Sequence, residues 1–371
     1  MKMLIVLLLI IIGGVGYLYT PQFGRLPQGE ELKRIEASPH YKNGKFQNLE
    51  PTKLMTGEKG SFSAMLDYLL GKHPNTRPQF PIPAVKTDLQ ALPKDEDVLV
   101  WFGHSSYFAQ INGIKFLIDP VFSKRASPVP FSVVAFDGTN IYTPEDMPDI
   151  DYMIITHDHW DHLDYPTVTK LRAKVGKVIT GLGVGAHLRR WGFSEEQIVE
   201  MDWQDKFTTE NVEIFCLPAR HFSGRGLVSD KSLWASYLLK IKDYKFYVGG
   251  DSGYGRHYQQ ICQEFADIDV AVLEDGQYDK NWKEIHEAPE MVLQAARDLK
   301  AHKILPVHNS KFTISNHPWY EPLEKLAPHI DKEPYQIMTP MIGEKVNLRR
   351  NNQKFKLWWR DNLNIESQEK V

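Results

Sequence analysis

The distribution of hydrophobic and polar positions divides the chain into regions that predict different elements. An almost uninterrupted apolar run from Met3 to Tyr19 predicts a hydrophobic helix. Residues 20–95 are rich in Pro, Gly, Lys and Glu and show little periodicity, except for an amphipathic pattern that predicts a short helix at 61–70. From residue 96 onwards, apolar runs of strand length alternate with helical patterns, which is typical of an α/β domain.

The α/β region begins with consecutive strands at 98–102, 107–111 and 114–118, and Asn-Gly at 112–113 supplies a hairpin turn between the last two. The remaining pattern predicts helices near 166–173, 184–191, 254–265 and 289–299, and strands at 152–155, 177–180, 212–217, 233–241, 245–248, 268–273 and 303–306. Strand meanders with interleaved helices predict two sheets packed face to face, with helices outside.

This pattern predicts four segments along the chain. They are a hydrophobic anchor or signal segment at 1–19, an extension that packs on or beside the core at 20–95, the main α/β domain at 96–345, and a polar C-terminal tail at 346–371.

The composition excludes some classes of function. The 371 residues carry a net charge of −3, which gives no electrostatic case for nucleic acid as a partner. The two cysteines, Cys216 and Cys262, have no Cys-x-x-Cys spacing and lie in apolar runs, so we interpret both as buried free thiols. A metal site in this chain must therefore use histidine and carboxylate ligands.

The N-terminal apolar run bears on localisation. Its length lies between that of a signal-peptide core and that of a short membrane span. No small-x-small cleavage site follows, because the chain continues Gly-Tyr-Leu-Tyr-Thr-Pro at 16–21. We therefore expect an uncleaved membrane anchor, with a cleaved signal peptide and export as the alternative.

The strongest chemical signal follows the predicted strand 152–155. Four potential metal ligands lie there within six positions: His157, His159, Asp161 and His162. A rigid strand end and a sharply turning loop can point alternate side chains at one spot, and imidazole nitrogens and carboxylate oxygens are ligands for zinc and similar ions. One ion can be held by the first pair and a second ion by the other pair.

Each ion needs further ligands, and three candidates lie shortly after other predicted strands: His221, Asp251 and His308. Glycines at 249 and 250 allow the backbone before Asp251 to approach the ions closely. A carboxylate such as Asp251 can bridge two cations and leave a water or hydroxide between them as a nucleophile.

In this order, the motifs resemble those of the metallo-β-lactamase superfamily, with Asp119, the run 157–162, His221, Asp251 and His308. A closer resemblance is to the family of N-acylphosphatidylethanolamine-hydrolysing phospholipases D and its bacterial relatives, in the stretches 103–106, 117–128, 233–237, 250–254 and 308–322. The resemblance covers most of residues 41–345. It implies that the domain at 96–345 is a metallo-β-lactamase-fold hydrolase, an αββα sandwich of two mixed β-sheets flanked by helices.

The resemblance also implies two divalent metal ions, with zinc as the expected element. One ion is assigned to His157, His159 and His221, and the other to Asp161, His162 and His308, with Asp251 bridging. Asp119 and Asp164 are implied to orient ligand imidazoles, although Asp164 could instead cap a helix or stabilise a turn. His104 is not a ligand in this pattern and is expected behind the ligands or at the substrate.

The candidate catalytic residues are Asp161, Asp251 and His286. In relatives, the position of His286 is a helix entry that faces the site. We expect His286 either to contact a substrate phosphate or leaving group, or simply to cap the helix.

The implied activity is phosphodiester hydrolysis of phospholipase D type, with N-acylphosphatidylethanolamine cleaved to phosphatidic acid and N-acylethanolamine at a membrane surface. A lactonase or other ester hydrolase is the alternative, and the sequence indicates no oligomeric state. Two stretches depart from the family pattern. Asn-Ser at 309–310, before Lys311, replaces the usual Trp-Gly. Glu274 and Asp275 add carboxylates that would repel a phosphodiester unless they point away or pair.

Overall fold

The computed structural model describes residues 2–57, 73–361 and 363, so the helix predicted at 61–70 lies outside the described residues. The α-helices of the described ranges are α1 (Lys2–Leu18), α2 (Glu30–Glu36), α3 (Tyr165–Leu171), α4 (Gly185–Arg190), α5 (His257–Phe265), α6 (Pro289–Asp298) and α7 (Glu321–Leu326).

The strands of the same ranges are β1 (Tyr41–Lys42), β2 (Lys45–Phe46), β3 (Val98–Trp101), β4 (Tyr107–Ile111), β5 (Ile114–Ile118), β6 (Ile150–Ile155), β7 (Val175–Gly181), β8 (Ile198–Met201), β9 (Lys206–Thr208), β10 (Glu213–Leu217), β11 (Ser236–Ile241), β12 (Tyr244–Val248), β13 (Val270–Glu274), β14 (Lys303–Val307), β15 (Gln336–Ile337) and β16 (Lys345–Asn347).

Fourteen of these strands form two mixed sheets of seven strands each. The first sheet has the order β16-β3-β4-β5-β6-β7-β8, and the second has the order β15-β14-β13-β12-β11-β10-β9. In each sheet an antiparallel half continues into a parallel half. Every residue of β13 and β14 is buried, which explains why these parallel strands lie in continuous apolar runs rather than alternating patterns.

The hydrophobic core has three main layers. Between the sheets, residues such as Ile154 of the first sheet and Phe246 of the second belong to one buried cluster. Val168 of α3 packs in a cluster outside the first sheet, and Ile261 of α5 packs in a cluster outside the second. Two mixed sheets flanked by helices confirm the αββα sandwich that the sequence resemblance implied.

The two ends of the described chain differ from each other in packing. The 17-residue helix α1 exposes most of its apolar side chains, and no helix among the described residues is long and apolar enough to cross a membrane. At the other end, within the polar tail predicted at 346–371, β16 pairs with β3, and Trp358 and Trp359 are buried in the core between the sheets. The tail is polar in composition, but a few apolar side chains anchor it.

Candidate metal centre

The side chains of the centre are delivered to one edge of the sandwich by strands that run in the same direction. In the first sheet, β3, β5 and β6 precede His104, Asp119 and the run 157–162. In the second sheet, β10, β12 and β14 precede His221, Asp251 and His308. Because the carboxyl ends of these strands share one edge, residues up to about 200 positions apart converge there.

Three of the predicted ligands form the first set: His157, His159 and His221. The Nδ1 atom of His159 lies 2.8 Å from Nε2 of His157 and 3.2 Å from Nε2 of His221. The outer nitrogen of His221, Nδ1, donates to the carbonyl oxygen of Ile285 at 3.0 Å, which leaves Nε2 as the ligating atom.

The second set consists of Asp161, His162 and His308. The Oδ2 atom of Asp161 lies 3.7 Å from Nε2 of His162 and 3.3 Å from Nε2 of His308. Asp251 lies between the two sets. Its oxygens are 3.1 Å from Nε2 of both His162 and His308, and its Oδ2 is 3.7–3.8 Å from the nitrogens of His221 and His157.

The donor atoms fit two cations of the kind that accept nitrogen and oxygen ligands. The Nε2 atom of His162 and the Oδ1 atom of Asp251 are buried and lie 3.1 Å apart, and neither makes a hydrogen bond of good geometry among the described residues. Three imidazole nitrogens of the first set lie close together. A hydrogen bond can join only one pair of them at a time, whereas a cation can bind all three. Tetrahedral zinc with Zn–N distances of about 2.0 Å places such nitrogens roughly 3.3 Å apart, close to the observed spacing.

The electrostatics of the two sets differ. Burial lowers the pKa of His157 and His221 well below the ordinary range, which keeps their imidazoles neutral and ready to bind a cation. Burial also lowers the pKa of His162 and His308, but nearby carboxylates, chiefly Asp251, raise it by more. The net result is a pKa well above the ordinary value for His162 and a pKa of about 10 for His308. In the second set, a cation therefore displaces protons when it binds.

Asp119 is joined to the ligand loop by three hydrogen bonds. Its Oδ2 accepts from Nδ1 of His162 at 2.7 Å and from Oγ1 of Thr156 at 2.6 Å, and its Oδ1 accepts from the Thr156 backbone N–H at 2.8 Å. The ring of His162 is thereby oriented with Nε2 toward Asp251.

His104 lies behind the second set and not at the substrate. Its side chain is 0% exposed, its Nε2 donates to Oδ2 of Asp161 at 2.8 Å, and its ring centroid is 4.2 Å from that of His308. Full burial excludes the substrate contact that the sequence left open, and the hydrogen bond restrains the carboxylate of Asp161.

Asp164 has partners other than a ligand imidazole. It precedes α3, and its Oδ2 accepts from the hydroxyl of Thr167 and from the Ser123 backbone N–H. Asp164 stands at the N-cap position of α3 but makes no side-chain hydrogen bond to a helix backbone N–H, so its carboxylate ties the start of α3 to the loop after β5 through Thr167 and Ser123.

Glu274 and Asp275, the two carboxylates that depart from the family pattern, are both buried. Glu274 accepts a hydrogen bond from His286, and Asp275 is 0% exposed. Burial raises the pKa of the Asp275 carboxyl well above its ordinary range, and burial also raises the pKa of Glu274. Both shifts favour the uncharged carboxyl, and together with the pairing of Glu274 with His286 they reduce the repulsion expected for a phosphodiester.

Sequence reasoning missed the role of Asp158, which lies between two ligands. Its carboxylate accepts from Ser232, from the Gly224 backbone N–H and from Nε2 of His187. These contacts tie the ligand loop to the loop after His221. The sequence did contain a signal for this role. If alternate side chains of the ligand loop point in opposite directions, Asp158 must point away from the side that His157 and His159 face.

Three residues of the centre have a left-handed backbone conformation. His104, Asp119 and His308 all have positive φ angles, of 54°, 40° and 67° respectively. Non-glycine residues in this region cost on the order of 1–3 kcal/mol each and persist only where the surroundings hold them. Each residue lies one to three positions after the end of a strand, where the chain leaves the sheet.

The αββα fold and the two sets of His and Asp ligands are typical of one class of metal-dependent hydrolases, and a known protein family matches the chain. The family model described as β-lactamase superfamily domain matches residues 115–309, and the chain belongs to this family. The protein is therefore a metal-dependent hydrolase of the metallo-β-lactamase fold, and its His/Asp cluster indicates a dinuclear metal site.

Individual relatives extend the match. An uncharacterized protein of Mycobacterium tuberculosis is 34% identical over 333 residues, which cover 88% of each chain. N-acyl-phosphatidylethanolamine-hydrolyzing phospholipase D 1 of Caenorhabditis elegans is 29% identical over 252 residues, which cover 62% of this chain and 69% of that enzyme. Among solved structures, the metallo hydrolase Igni18 of Ignicoccus hospitalis superposes with a TM-score of 0.52 at 21% identity, covering 67% of this chain and 97% of its own, which shows the shared fold.

Proposed function

We propose that the protein is a phosphodiesterase of phospholipase D type that cleaves N-acylphosphatidylethanolamine to phosphatidic acid and N-acylethanolamine. The observation that carries the proposal is the 29% identity with the Caenorhabditis elegans phospholipase over 252 residues. The charge at the site also supports it. A phosphodiester carries only one negative charge, so it can approach a centre that contains Asp161 and Asp251 once two cations are present.

The protein side chains hold the reacting groups in place. Two divalent cations, when bound by the two ligand sets, supply charge stabilisation for phosphoryl oxygens and a water of lowered pKa. Asp251 joins the two sets, His104 restrains Asp161, and Asp119 restrains His162. Because these contacts exist before a substrate arrives, the ligand atoms need little rearrangement during the reaction.

We also propose that this hydrolase works at a lipid surface. Phe131 is 85% exposed and Leu227 is 86% exposed, on the loops that follow Asp119 and His221. Helix α1 adjoins both loops, since Tyr17 Oη donates to the Pro128 carbonyl, and the end of α1 shares a pocket of about 550 Å³ with Leu227. Exposed apolar side chains on neighbouring elements favour insertion into a lipid surface.

The activity can be tested with N-acylphosphatidylethanolamine in mixed micelles and zinc-loaded protein. The parent protein is expected to release phosphatidic acid, and Asp251→Asn is expected to lower the rate at least about 100-fold, because one oxygen of a shared ligand is lost. Asp243→Asn serves as the matched control, since Asp243 is exposed and lies at the opposite end of β12 from Asp251.

The possible outcomes test the identity of the substrate and the role of Asp251 independently. A parent protein that holds two metal ions and releases no phosphatidic acid would contradict the phospholipid proposal. If the same preparation opened lactones, the alternative ester hydrolase would replace it. Equal rates for the parent and Asp251→Asn would contradict the assignment of Asp251 to the centre.

A further inference from the structure

Asn48 lies in the N-terminal extension and bonds to the backbone of a metal ligand. Its side-chain Nδ2 donates to the carbonyl oxygen of His221 at 2.8 Å, and its Oδ1 accepts from the His221 backbone N–H at 3.0 Å. The same Oδ1 accepts from Nε1 of Trp234 at 3.1 Å. Because an indole N–H can only donate, this contact fixes which way round the amide group lies. One amide side chain thus binds both backbone polar groups of His221.

The imidazole ring of His221 is held separately from its backbone. Its Nδ1 donates to the carbonyl oxygen of Ile285 at 3.0 Å, and its Nε2 lies 3.2 Å from Nδ1 of His159 in the first ligand set. The ring of His286, whose side chain is 11% exposed, meets the His221 ring edge-on, with centroids 5.1 Å apart. These contacts set the rotation of the ring, but the position of the ring depends on where the backbone of His221 lies.

The backbone of His221 lies outside the sheet. It is four residues beyond the end of β10, past the ladder that pairs β10 with β11. The residue is 0% exposed, so water cannot satisfy its backbone N–H and carbonyl groups. The two bonds to Asn48 therefore take the place of sheet hydrogen bonds at this point of the loop.

The segment that carries Asn48 is anchored on both sides. Phe46 is 2% exposed and belongs to the core between the sheets, and its backbone N–H donates to the carbonyl oxygen of Asp230 at 2.9 Å. On the other side, Oε1 of Glu50 accepts from the Arg256 backbone N–H at 2.8 Å. Because both flanking residues are fixed, the Asn48 amide is held in place before a metal ion binds.

We propose that Asn48 is a positioning residue of the metal centre, and that it holds His221 where the ion of the first ligand set requires it. The matched family domain covers residues 115–309, so Asn48 contributes from outside that domain. A ligand that is fixed in advance loses less freedom when the ion arrives, so removal of its support weakens the affinity for the ion. Because metal binding precedes the reaction of any substrate, this role does not depend on the identity of the substrate.

Zinc binding to the full chain, measured by competition with a chromophoric chelator, tests this role without a substrate. Asn48→Ala and Asn48→Leu are each expected to weaken one of the two ions about 10- to 100-fold, which is the usual effect of removing a group that orients a ligand. The affected ion should be the one that His221→Ala weakens, whereas the ion that His308→Ala weakens should change by much less.

Two further variants distinguish lost hydrogen bonds from lost packing. Leucine has the same number and branching of side-chain heavy atoms as asparagine, so Asn48→Leu removes the bonds and keeps the bulk. Asn48→Ala combined with His221→Ala should bind no more weakly than His221→Ala alone, because Asn48 acts through His221.

The matched control is Gln47→Ala, at the neighbouring position of the same segment. The Gln47 side chain is exposed and donates to the carbonyl oxygens of Lys42 and Lys45 at 3.4 Å, so this variant should bind both ions as the parent does.

Three results would overturn the proposal. They are parent-like affinity for both ions in the two Asn48 variants, an equal loss of both ions, which would show a purely structural role, and a further loss of affinity in the double variant. Since no substrate takes part, a failure of the proposed phospholipase activity would leave the result of this measurement unchanged.

Discussion

Lys311 carries an amino group into the protein interior next to the metal centre. Its side chain is buried, and its Nζ donates to the carbonyl oxygens of Val121 at 2.8 Å and Phe102 at 3.2 Å. Burial lowers its pKa to about 7, although Asp164 acts in the opposite direction. Neutral carbonyls compensate a buried ammonium group only in part, which explains the direction of the shift.

This burial predicts a pH-dependent stability. The pKa of Lys311 is lower in the folded chain than the ordinary 10.5, so between about pH 7 and pH 10.5 the unfolded chain binds more protons and the stability of the fold rises with pH. Relative to a Lys311→Met variant, the parent should gain roughly 2 kcal/mol in free energy of unfolding between pH 7 and pH 9.

Urea unfolding of both proteins at several pH values measures this difference. Other titrating groups cancel in the comparison, and Lys124→Met, at an exposed lysine, should run parallel to the parent. Parallel curves for Lys311→Met as well would show that Lys311 keeps an ordinary pKa in the folded chain.

At the scale of elements, α1 and the two apolar loops lead to a prediction about lipid binding. Vesicles of anionic phospholipid should sediment the parent protein. Phe131→Ser combined with Leu227→Ser should weaken the partitioning by about 100- to 10,000-fold, because each side chain contributes about 1.5–3 kcal/mol when it is fully buried. Deletion of residues 2–18 should weaken it further.

The control for this measurement is Met291→Ser, at an apolar side chain that is exposed on α6. Hydrolysis of a small soluble phosphodiester should be unchanged in the double variant, since neither side chain contacts the ligands. Undiminished sedimentation of the double variant would show that these loops do not face the lipid.

Strands could be predicted from the sequence where several consecutive residues share a hydrophobic pattern. The predicted strands around β3 to β7 and β10 to β14 are confirmed, because each is a run of apolar residues or a hairpin with an Asn-Gly turn. β15 and β16 were not predicted. They contain two and three residues, and their pairing with β14 and β3 depends on partners distant in sequence.

At the scale of the whole molecule, the metal centre links the two sheets, which predicts that metal removal destabilises the fold. Ions that bind only the folded chain stabilise it by about 4 kcal/mol at a free concentration 1,000 times Kd. Such ions would satisfy buried groups such as Nε2 of His162 and Oδ1 of Asp251, which lie 3.1 Å apart and make no hydrogen bond of good geometry among the described residues.

Chelation followed by thermal unfolding tests this expectation. Removal of the ions should lower the Tm by several degrees, and added zinc should restore it. His162→Ala should show a smaller difference between the two states, since one ion site is already impaired. A Tm that stays constant while the metal content falls to zero would contradict the stabilising role.

The sequence by itself determined the fold and the order of the ligands, because both depend on local patterns. A strand is a run of apolar residues, and a ligand such as Asp251 or His308 lies one to three residues beyond a strand end, so it can be located without knowing the partner strand. The motifs of the family also indicate which ligands bind the same ion.

Only the tertiary structure decided which polar groups meet. Glu274 and Asp275 are neighbours in sequence, yet one binds His286 and the other is buried without a hydrogen-bond partner for its side chain among the described residues. His104 restrains Asp161 across 57 positions, and Asp164 turns to the start of α3. Such contacts arise where two sheets are brought face to face, and no spacing along the chain encodes that distance.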